Sequence, residues 1–183
     1  LLGGETAEMP GHYIDNNFDL AGFSVGCVDE NKILNDKNVK VGNVLIGIES
    51  SGPHSNGFSL IRKIINDSQS PKTLKEDMVK QVLKPTILYP NLIMSLIKDF
   101  KVNSISHITG GGLLENLPRS IPKNLSIEIN KDSWEIPKIF QWLKEEGNLS
   151  NGEMYRIFNC GIGMALFVEK DDSSKIMNKI ATI

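Results

Sequence analysis

Residues 43–57 read NVLIGIESSGPHSNG, and this stretch decides the fold of the region around it. The first seven positions carry four large apolar side chains, a pattern typical of a buried strand. A polar loop rich in serine and glycine follows, and apolar residues then recur at helical spacing from Phe58 onward. The stretch therefore predicts a strand, a turn and a helix, with Ser55 or Asn56 as the helix N-cap.

The same design recurs at residues 102–112, VNSISHITGGG, where a strand leads into a glycine loop and a short helix that Pro118 stops. Alternation of apolar and polar residues predicts further strands at residues 18–28 and 125–129, and a continuous apolar run predicts another at residues 164–168. Helical spacing predicts further helices at residues 74–82, 92–97, 135–146 and 171–183, the third of them capped by Ser133. Strands that alternate with helices in this way favour an α+β domain in which helices pack on a mixed sheet.

Each of the two loops is a candidate cradle for an anion. Unpaired N–H groups at a helix start favour negative charge, and glycine lets a phosphate approach the backbone closely. Neither loop has the Gly-Lys-Ser/Thr ending of a P-loop or the G-x-G-x-x-G dinucleotide pattern. The candidate phosphate-binding residues are Ser51, Gly52, Ser55, Asn56, Gly57, Thr109, Gly110, Gly111 and Gly112. We expect both loops on the same side of the sheet, at the mouth of one cleft.

Two of the three histidines, His54 and His107, lie inside these loops, where a titratable group is able to assist proton transfer. We predict both as catalytic residues. His54 sits in a polar loop, which predicts an exposed side chain that matters for turnover more than for folding. The alternative is that each ring only hydrogen-bonds to a loop carbonyl.

Residues 3–11, GGETAEMPG, place Glu5 and Glu8 three positions apart between glycines. Carboxylate oxygens of this kind suit Mg²⁺ and bound phosphates. The alternative is a capped turn with two solvated acids.

Composition excludes several classes of function. Twenty Lys and Arg against 22 Asp and Glu give a net charge of −2, so no basic field is present to attract nucleic acid or anionic membranes. No apolar run approaches the length that crosses a bilayer, and we expect a cytoplasmic protein. The two cysteines, Cys27 and Cys160, are predicted to be buried free thiols. The chain starts without Met and its last helix lacks a cap, so we expect a portion of a longer protein.

Four segments stand out together: GGETAEMPG at 3–11, SSGPHSNGFSLIRKI at 50–64, HITGGGLLENLPR at 107–119 and EMYRIFNCGIGM at 153–164. In wording and order they resemble the phosphoribosylformylglycinamidine cyclo-ligase family, also called aminoimidazole ribonucleotide synthetase. The strings differ from those of formylglycinamide ribonucleotide amidotransferase, selenophosphate synthetase, thiamine-phosphate kinase and the hydrogenase-maturation proteins, which share the architecture.

The resemblance implies ATP-dependent ring closure of formylglycinamidine ribonucleotide to aminoimidazole ribonucleotide, with ATP and Mg²⁺ required and a homodimer as the complete enzyme. With it we predict that Glu5 and Glu8 face the nucleotide and that Glu5 binds the metal. It implies that residues 1–38 end an amino-terminal ATP-binding and dimerisation domain, with the strand at 18–28 as its last strand. Residues 39–183 then form the carboxyl-terminal α+β domain without its final strands, and the chain alone is expected to be inactive. Two alternatives stay open: a related kinase or synthetase with another acceptor, and a non-catalytic phosphate-binding or dimerisation module.

Overall fold

The structure is a computed structural model that describes residues 1–14 and 16–182. It divides into two compact units, Leu1–Ile33 and Leu34–Ile183. The first unit holds a 3-10 helix at Glu30–Lys32 and is otherwise irregular over its described residues. The second unit holds all the strands and α-helices described below.

Three strands form the sheet: β1 at Val44–Glu49, β2 at Val102–His107 and β3 at Ile162–Val168. Their order is β1-β3-β2, so the last strand in the chain lies in the centre. Both pairings are antiparallel, with Ala165 opposite Gly47 on one side and opposite Ser106 on the other. The predicted α+β class is confirmed, but neighbouring strands in the described sheet pair only antiparallel, where a mixed sheet was expected.

Seven α-helices surround the sheet within the described residues: α1 Phe58–Asp67, α2 Lys72–Val82, α3 Pro90–Asp99, α4 Gly112–Asn116, α5 Lys138–Glu146, α6 Asn151–Ile157 and α7 Lys170–Ile180. Short 3-10 helices occur at Asp36–Asn38, Leu117–Ser120 and Lys131–Ser133. The sequence prediction missed α6, although Ser150 and Glu153 form a reciprocal capping box at its start. Ile183, the predicted end of the last helix, lies outside the described residues.

The two faces of the sheet bury different helices because alternate side chains of a strand point to opposite faces. On one face, Leu166 and Val168 of β3 pack with Leu96 of α3 and Ile176 of α7. On the other face, Ala165 and Phe167 pack with residues in and around α4. A third apolar cluster joins α1, α5 and α6 through Ile61, Phe140, Leu143, Met154 and Phe158. These clusters fix the helices that carry the loops at the end of the sheet.

Two predicted strands are wrong. Residues 18–28 form no strand, because a strand requires main-chain hydrogen bonds to a neighbouring strand and the described residues of the first unit include no such neighbour. Residues 125–129 also remain unpaired. Their alternation is nevertheless real, since Leu125, Ile127 and Ile129 are half-buried against the apolar cluster around Phe167 while the residues between them are exposed.

Two predicted helix starts are also wrong. Gly57 is the N-cap of α1, because Ser55 has a left-handed backbone and the Asn56 amide donates back to the His54 carbonyl at 2.8 Å. Helix α5 begins at Lys138, three residues later than predicted, because the Ser133 hydroxyl closes a preceding turn by donating to the Asn130 carbonyl at 2.7 Å.

The cysteine prediction is confirmed in part. Both thiols are free, and Cys160 is buried, but Cys27 is exposed. Burial raises the pKa of the Cys160 thiol to about 12. None of the described helices combines the length and the hydropathy that a bilayer span requires.

Candidate functional site

The two loops predicted to bind phosphate leave the sheet at the same edge. Strands β1 and β2 both run antiparallel to β3, so both end where β3 begins. The loop after β1, residues 50–57, and the loop after β2, residues 108–112, also approach each other: a Cβ built on Gly110 would lie 3.9 Å from the Asn56 side-chain oxygen. The expected placement on one side of the sheet is confirmed. We call these segments the first and the second loop.

Asn159, immediately before β3, holds the first loop. Its amide donates to the Gly52 carbonyl at 2.8 Å, and its oxygen accepts from the Ser50 hydroxyl at 3.0 Å and the Gly161 N–H at 2.9 Å. The Asn159 side chain is 1% exposed, so these bonds form away from water. A fully satisfied buried amide of this kind specifies one loop conformation.

Asn116, in the last turn of α4, plays the same part for the second loop. Its amide donates to the carbonyls of Thr109, Gly110 and Gly112 at 3.3, 3.2 and 2.8 Å. The Thr109 hydroxyl in turn lies 3.4 Å from the Asn116 oxygen, to which it donates. The loop carbonyls are therefore turned toward Asn116.

The glycines of the second loop serve two different purposes. Gly112 has a φ of +56°, and a Cβ there would overlap the Tyr155 carbonyl oxygen and come within 2.7 Å of that of Phe158. Gly110, by contrast, faces open space apart from the distant Asn56 oxygen. The N–H groups of Gly110 and Gly111 donate to no main-chain acceptor among the described residues. Gly112 is needed for packing, whereas Gly110 leaves backbone donors open to a ligand.

His54 is buried, with 5% of its surface exposed, so the prediction of an exposed loop side chain is wrong. Its Nε2 accepts hydrogen bonds from the main-chain N–H groups of Ser51 at 3.0 Å and Ile87 at 3.4 Å. Its Nδ1 has no partner among the described residues. Its backbone φ is +52°, and that of Ser55 is +60°, a left-handed conformation that side-chain-bearing residues rarely adopt.

Burial first, and then the charge of nearby His107, lower the pKa of the His54 imidazole. Within this environment the ring is neutral near pH 7, because the lowered pKa lies below its ordinary value of about 6.5. His107 itself ends β2 and is exposed.

Tyr89 lies between the two imidazoles. Its ring centroid is 6.1 Å from that of His54 and 6.3 Å from that of His107. Its hydroxyl donates to the Glu49 carbonyl at 2.7 Å. Burial, and then the charge of Glu49, raise the pKa of the Tyr89 phenol to about 12, so it remains a hydrogen-bond donor at neutral pH.

The remaining predicted residues fall into two groups. Ser51, Gly52, Ser55, Asn56 and Gly57 belong to the first loop, and Thr109, Gly110, Gly111 and Gly112 belong to the second. Glu5 and Glu8 lie in the first unit and are exposed. No cluster of three or more His, Cys, Asp and Glu side chains suited to a metal occurs among the residues that the structure describes.

Sequence reasoning missed Asn116, Asn159 and Tyr89. Each is a polar residue in an otherwise apolar or glycine-rich setting that turns out to be buried, at 6%, 1% and 4% exposure. Such residues need internal hydrogen-bond partners. The need of a buried polar side chain for internal hydrogen bonds could have drawn attention to these residues. Their partners could not be identified, because the carbonyls that accept from Tyr89 and Asn159 lie far away in the sequence.

Together the two loops offer open N–H donors, a neutral imidazole and hydroxyl groups at one edge of the sheet. This arrangement is suited to binding an anionic or carbonyl oxygen, since neutral and partly positive donors stabilise developing negative charge.

Comparisons with known proteins show the family to which the chain is related. The C-terminal domain of the AIR synthase related proteins matches residues 40–182. The phosphoribosylformylglycinamidine cyclo-ligase of Lawsonia intracellularis is 49% identical over 183 residues, covering 97% of this chain and 52% of that protein. The protein of the same name from Citrifermentans bemidjiense is 47% identical over 188 aligned positions, covering 99% of this chain and 54% of its own. That of Geobacter metallireducens is 49% identical over 187 positions, with the same coverages of 99% and 54%. The chain thus spans about half the length of the curated relatives it matches.

Proposed function

Because the chain belongs to the family of AIR synthase related proteins, we propose that it is the carboxyl-terminal part of a phosphoribosylformylglycinamidine cyclo-ligase. The whole protein then closes the imidazole ring of formylglycinamidine ribonucleotide to give aminoimidazole ribonucleotide. In this reaction ATP phosphorylates the formamide oxygen, the amidine nitrogen attacks the activated carbon, and ADP and phosphate leave.

Catalysis of this reaction depends mainly on positioning the reacting groups of the substrate. An amide oxygen is a poor leaving group, and its phosphorylation turns it into a good one. The attacking nitrogen and the activated carbon belong to the same substrate molecule, so a site that holds the reactive conformer lowers the barrier without a protein nucleophile. Well-oriented intramolecular reactions gain up to roughly 7–11 kcal/mol from such placement. The described loops are suited to this work because they offer fixed donors.

The convergence of the first and second loops at one edge of the sheet is the observation that carries the proposal. Gly110 presents a backbone surface with room above it, and Asn56 lies within van der Waals distance of that position. We propose that the N–H groups of the second loop and the polar groups of the first bind phosphoryl or ribose-phosphate oxygens of the substrate. We further propose that His54, within the first loop, and His107, at the end of β2, stabilise charge or handle protons during ring closure.

The proposed reaction implies Mg²⁺ with ATP, and Glu5 and Glu8 are the donors we assign to the metal side. Mg²⁺ in nucleotide enzymes is commonly held by one or two carboxylates together with substrate phosphates, so two exposed carboxylates fit that donor set. When bound, the metal would neutralise phosphate charge. Glu5 is the residue proposed to contact it.

Three further features of the whole protein belong to this proposal. Residues 1–38 are assigned to the end of an amino-terminal ATP-binding and dimerisation domain, and residues 39–183 to the carboxyl-terminal domain. The complete enzyme is proposed to be a cytoplasmic homodimer that acts on small molecules. Turnover is expected to require the amino-terminal domain, so the chain by itself is expected to be inactive.

A chimera tests the function. The aligned carboxyl-terminal segment of the Lawsonia intracellularis cyclo-ligase is replaced by this chain, and ATP-dependent formation of the aminoimidazole product is measured beside the unaltered relative. We expect ring closure of formylglycinamidine ribonucleotide and one phosphate released per ring. A folded chimera that converts ATP to ADP only with another acceptor would favour a related kinase, if the acceptor keeps the phosphoryl group, or a related synthetase, if free phosphate is released. One that binds nucleotide and turns over no acceptor would favour a binding module.

A further inference from the structure

His54 is held in a way that decides which of its nitrogens carries the proton. The N–H groups of Ser51 and Ile87 both direct their hydrogens at Nε2, at 3.0 and 3.4 Å. A main-chain N–H is only a donor, so Nε2 must present its lone pair and the proton of the neutral ring belongs on Nδ1. The Ser51 hydroxyl oxygen also lies 3.0 Å from Nε2, but it donates its own hydrogen to the Pro85 carbonyl at 2.6 Å. A proton on Nε2 could form a hydrogen bond to the Ser51 hydroxyl oxygen, but it would point at the hydrogens of two main-chain N–H groups and lose both of their hydrogen bonds.

Nδ1 is then a buried donor without an acceptor among the described residues. The side chain around it is 95% buried, given its 5% exposure. Buried polar groups in native proteins are nearly always paired, and the exceptions concentrate where a ligand or catalysis supplies the partner. Both residues at the turn, His54 and Ser55, also hold left-handed backbone conformations that cost free energy.

Residues 85–89, which we call the strap, fasten His54 in this state. Three hydrogen bonds join the strap to the end of β1 and the first loop: Ser51 Oγ to Pro85 O, Ile87 N–H to His54 Nε2, and Tyr89 Oη to Glu49 O. The hydrogen bond from the Tyr89 hydroxyl to the Glu49 carbonyl is short, at 2.7 Å, and Tyr89 is only 4% exposed. The hydrogen bond from the Ile87 N–H to His54 Nε2 is longer, at 3.4 Å. The strong bond therefore anchors the strap that carries the weak one.

Gly163 of β3 makes the space for this arrangement. A Cβ at that position would overlap the Tyr89 hydroxyl and stand 2.9 Å from His54 Cε1. The central strand, Tyr89 and His54 are thus packed against one another without room for a methyl group. The titratable groups near His54 are His107 and Tyr89.

We infer that Tyr89 is a positioning residue that fixes His54 as a neutral Nδ1–H donor toward a phosphoryl or carbonyl oxygen of the bound substrate. This inference rests on the proposed function and narrows it. It removes His54 from the role of accepting the amidine proton, because the Nε2 lone pair is already used by two main-chain donors. The imidazole instead stabilises oxygen charge.

Nuclear magnetic resonance of the ¹⁵N-labelled chain tests the tautomer directly, through the two-bond couplings of each imidazole nitrogen. We expect His54 to be in the Nδ1–H form at neutral pH. In Tyr89→Phe, which keeps the ring and loses the anchoring bond, we expect a mixture of tautomers. Tyr155→Phe, which removes a phenol with no hydrogen bond to the described residues, should leave His54 unchanged. An Nε2–H or cationic His54 in the wild-type chain overturns the inference, as does a folded Tyr89→Phe with an unaltered His54 spectrum.

One further measurement uses only the wild-type chain and so does not depend on how well Tyr89→Phe folds, and a second measures the kinetics of that variant in the chimera. Titration of the wild-type chain with inorganic phosphate should move the His54 Nδ1 resonance and leave that of His12, in the first unit, in place. An immobile Nδ1 contradicts its role as the donor. In the chimera, Tyr89→Phe should lower kcat by up to about 100-fold with KM little changed, the pattern of a misplaced group. A loss confined to KM contradicts a positioning role.

The outcomes separate this inference from the proposed function. If the chimera closes the ring and His54 carries its proton on Nε2, the inference fails and the cyclo-ligase stands. If His54 is in the Nδ1–H form and the chimera closes no ring, the ligase proposal fails while the tautomer assignment remains.

Discussion

Replacing Gly112 by alanine should unfold the second loop, whereas the same change at Gly110 should leave the fold intact. At Gly112 the new methyl group would overlap the Tyr155 carbonyl oxygen and lie 2.7 Å from that of Phe158, and both are backbone atoms that cannot rotate away. The left-handed φ of +56° adds a conformational cost of about 1–2 kcal/mol for any residue with a Cβ. Overpacking adds about 1–3 kcal/mol. The sum is a loss of about 2–5 kcal/mol.

For a unit of this size, each kcal/mol corresponds to about 2–4 °C, so Gly112→Ala should lower Tm by about 4–20 °C. The assay is thermal and urea unfolding of the isolated chain, with Gly110→Ala as the matched control because a Cβ there meets nothing closer than 3.9 Å. Gly110→Ala should keep its Tm within about 2 °C. In the chimera, however, it should weaken substrate binding by placing a methyl group over the open N–H donors.

A Gly112→Ala chain with wild-type Tm would refute the close packing of the second loop against residues 155–158. A Gly110→Ala chimera with unaltered activity would show that no ligand approaches the loop backbone at that point.

Three other changes test separate parts of the structure. Asn159→Ala leaves the Gly52 carbonyl and the Gly161 N–H without their buried partner, so the free energy of unfolding should fall by about 2–4 kcal/mol, measured by urea titration; a loss below about 0.5 kcal/mol would contradict the loop-holding role. His54→Asn should flatten the pH dependence of stability: the lowered pKa of folded His54 means that only the unfolded chain takes up this proton just below pH ~6.5, so wild-type stability falls as pH drops there. Equal slopes in the two proteins between neutral and mildly acidic pH would count against that burial. In the chimera, Glu5→Gln and Glu8→Gln should raise the Mg²⁺ concentration needed for half-maximal ATP turnover, and an unchanged requirement in both returns these residues to solvated acids.

The sequence predicted those parts of the fold that depend on local pattern. The apolar run before the first loop and the strand before the second were both correct, because each combines strand periodicity with a glycine-rich stop. The common edge of the two loops also followed, since strands that feed similar turns into helices tend to share a direction. Local pattern failed where strand formation depends on a neighbour. Residues 125–129 alternate in burial as a strand would, yet their side chains alone reach the core and no ladder forms.

The two loops of the candidate site were predicted from the sequence, but the buried residues that hold them in place were not. Glycines and histidines in a loop are recognisable within a short stretch of sequence. The roles of Asn116 and Asn159 depend on main-chain carbonyls that only folding brings to their side chains. Asn159 bonds to Gly52, a residue 107 positions earlier in the chain. His54 was misjudged for the same reason: its polar neighbours predicted exposure, but the strap from residues 85–89 folds over it. No string within the first loop encodes that covering segment.

The central position of β3 has a consequence for how the protein is made. The pairing of Val44 with Val168 joins the first described strand to the last, so neither outer strand finds its partner until the ribosome has delivered the chain as far as β3. Contacts between residues so distant along the chain slow folding, because the entropy of closing a long loop is lost before the strand pairing can stabilise the structure. Until β3 is available, the main-chain groups of β1 and β2 have no strand partner, and unpaired strand edges of this kind make a partly folded chain prone to aggregation. The two loops therefore come to share an edge in one late step, when β3 docks between the strands that carry them.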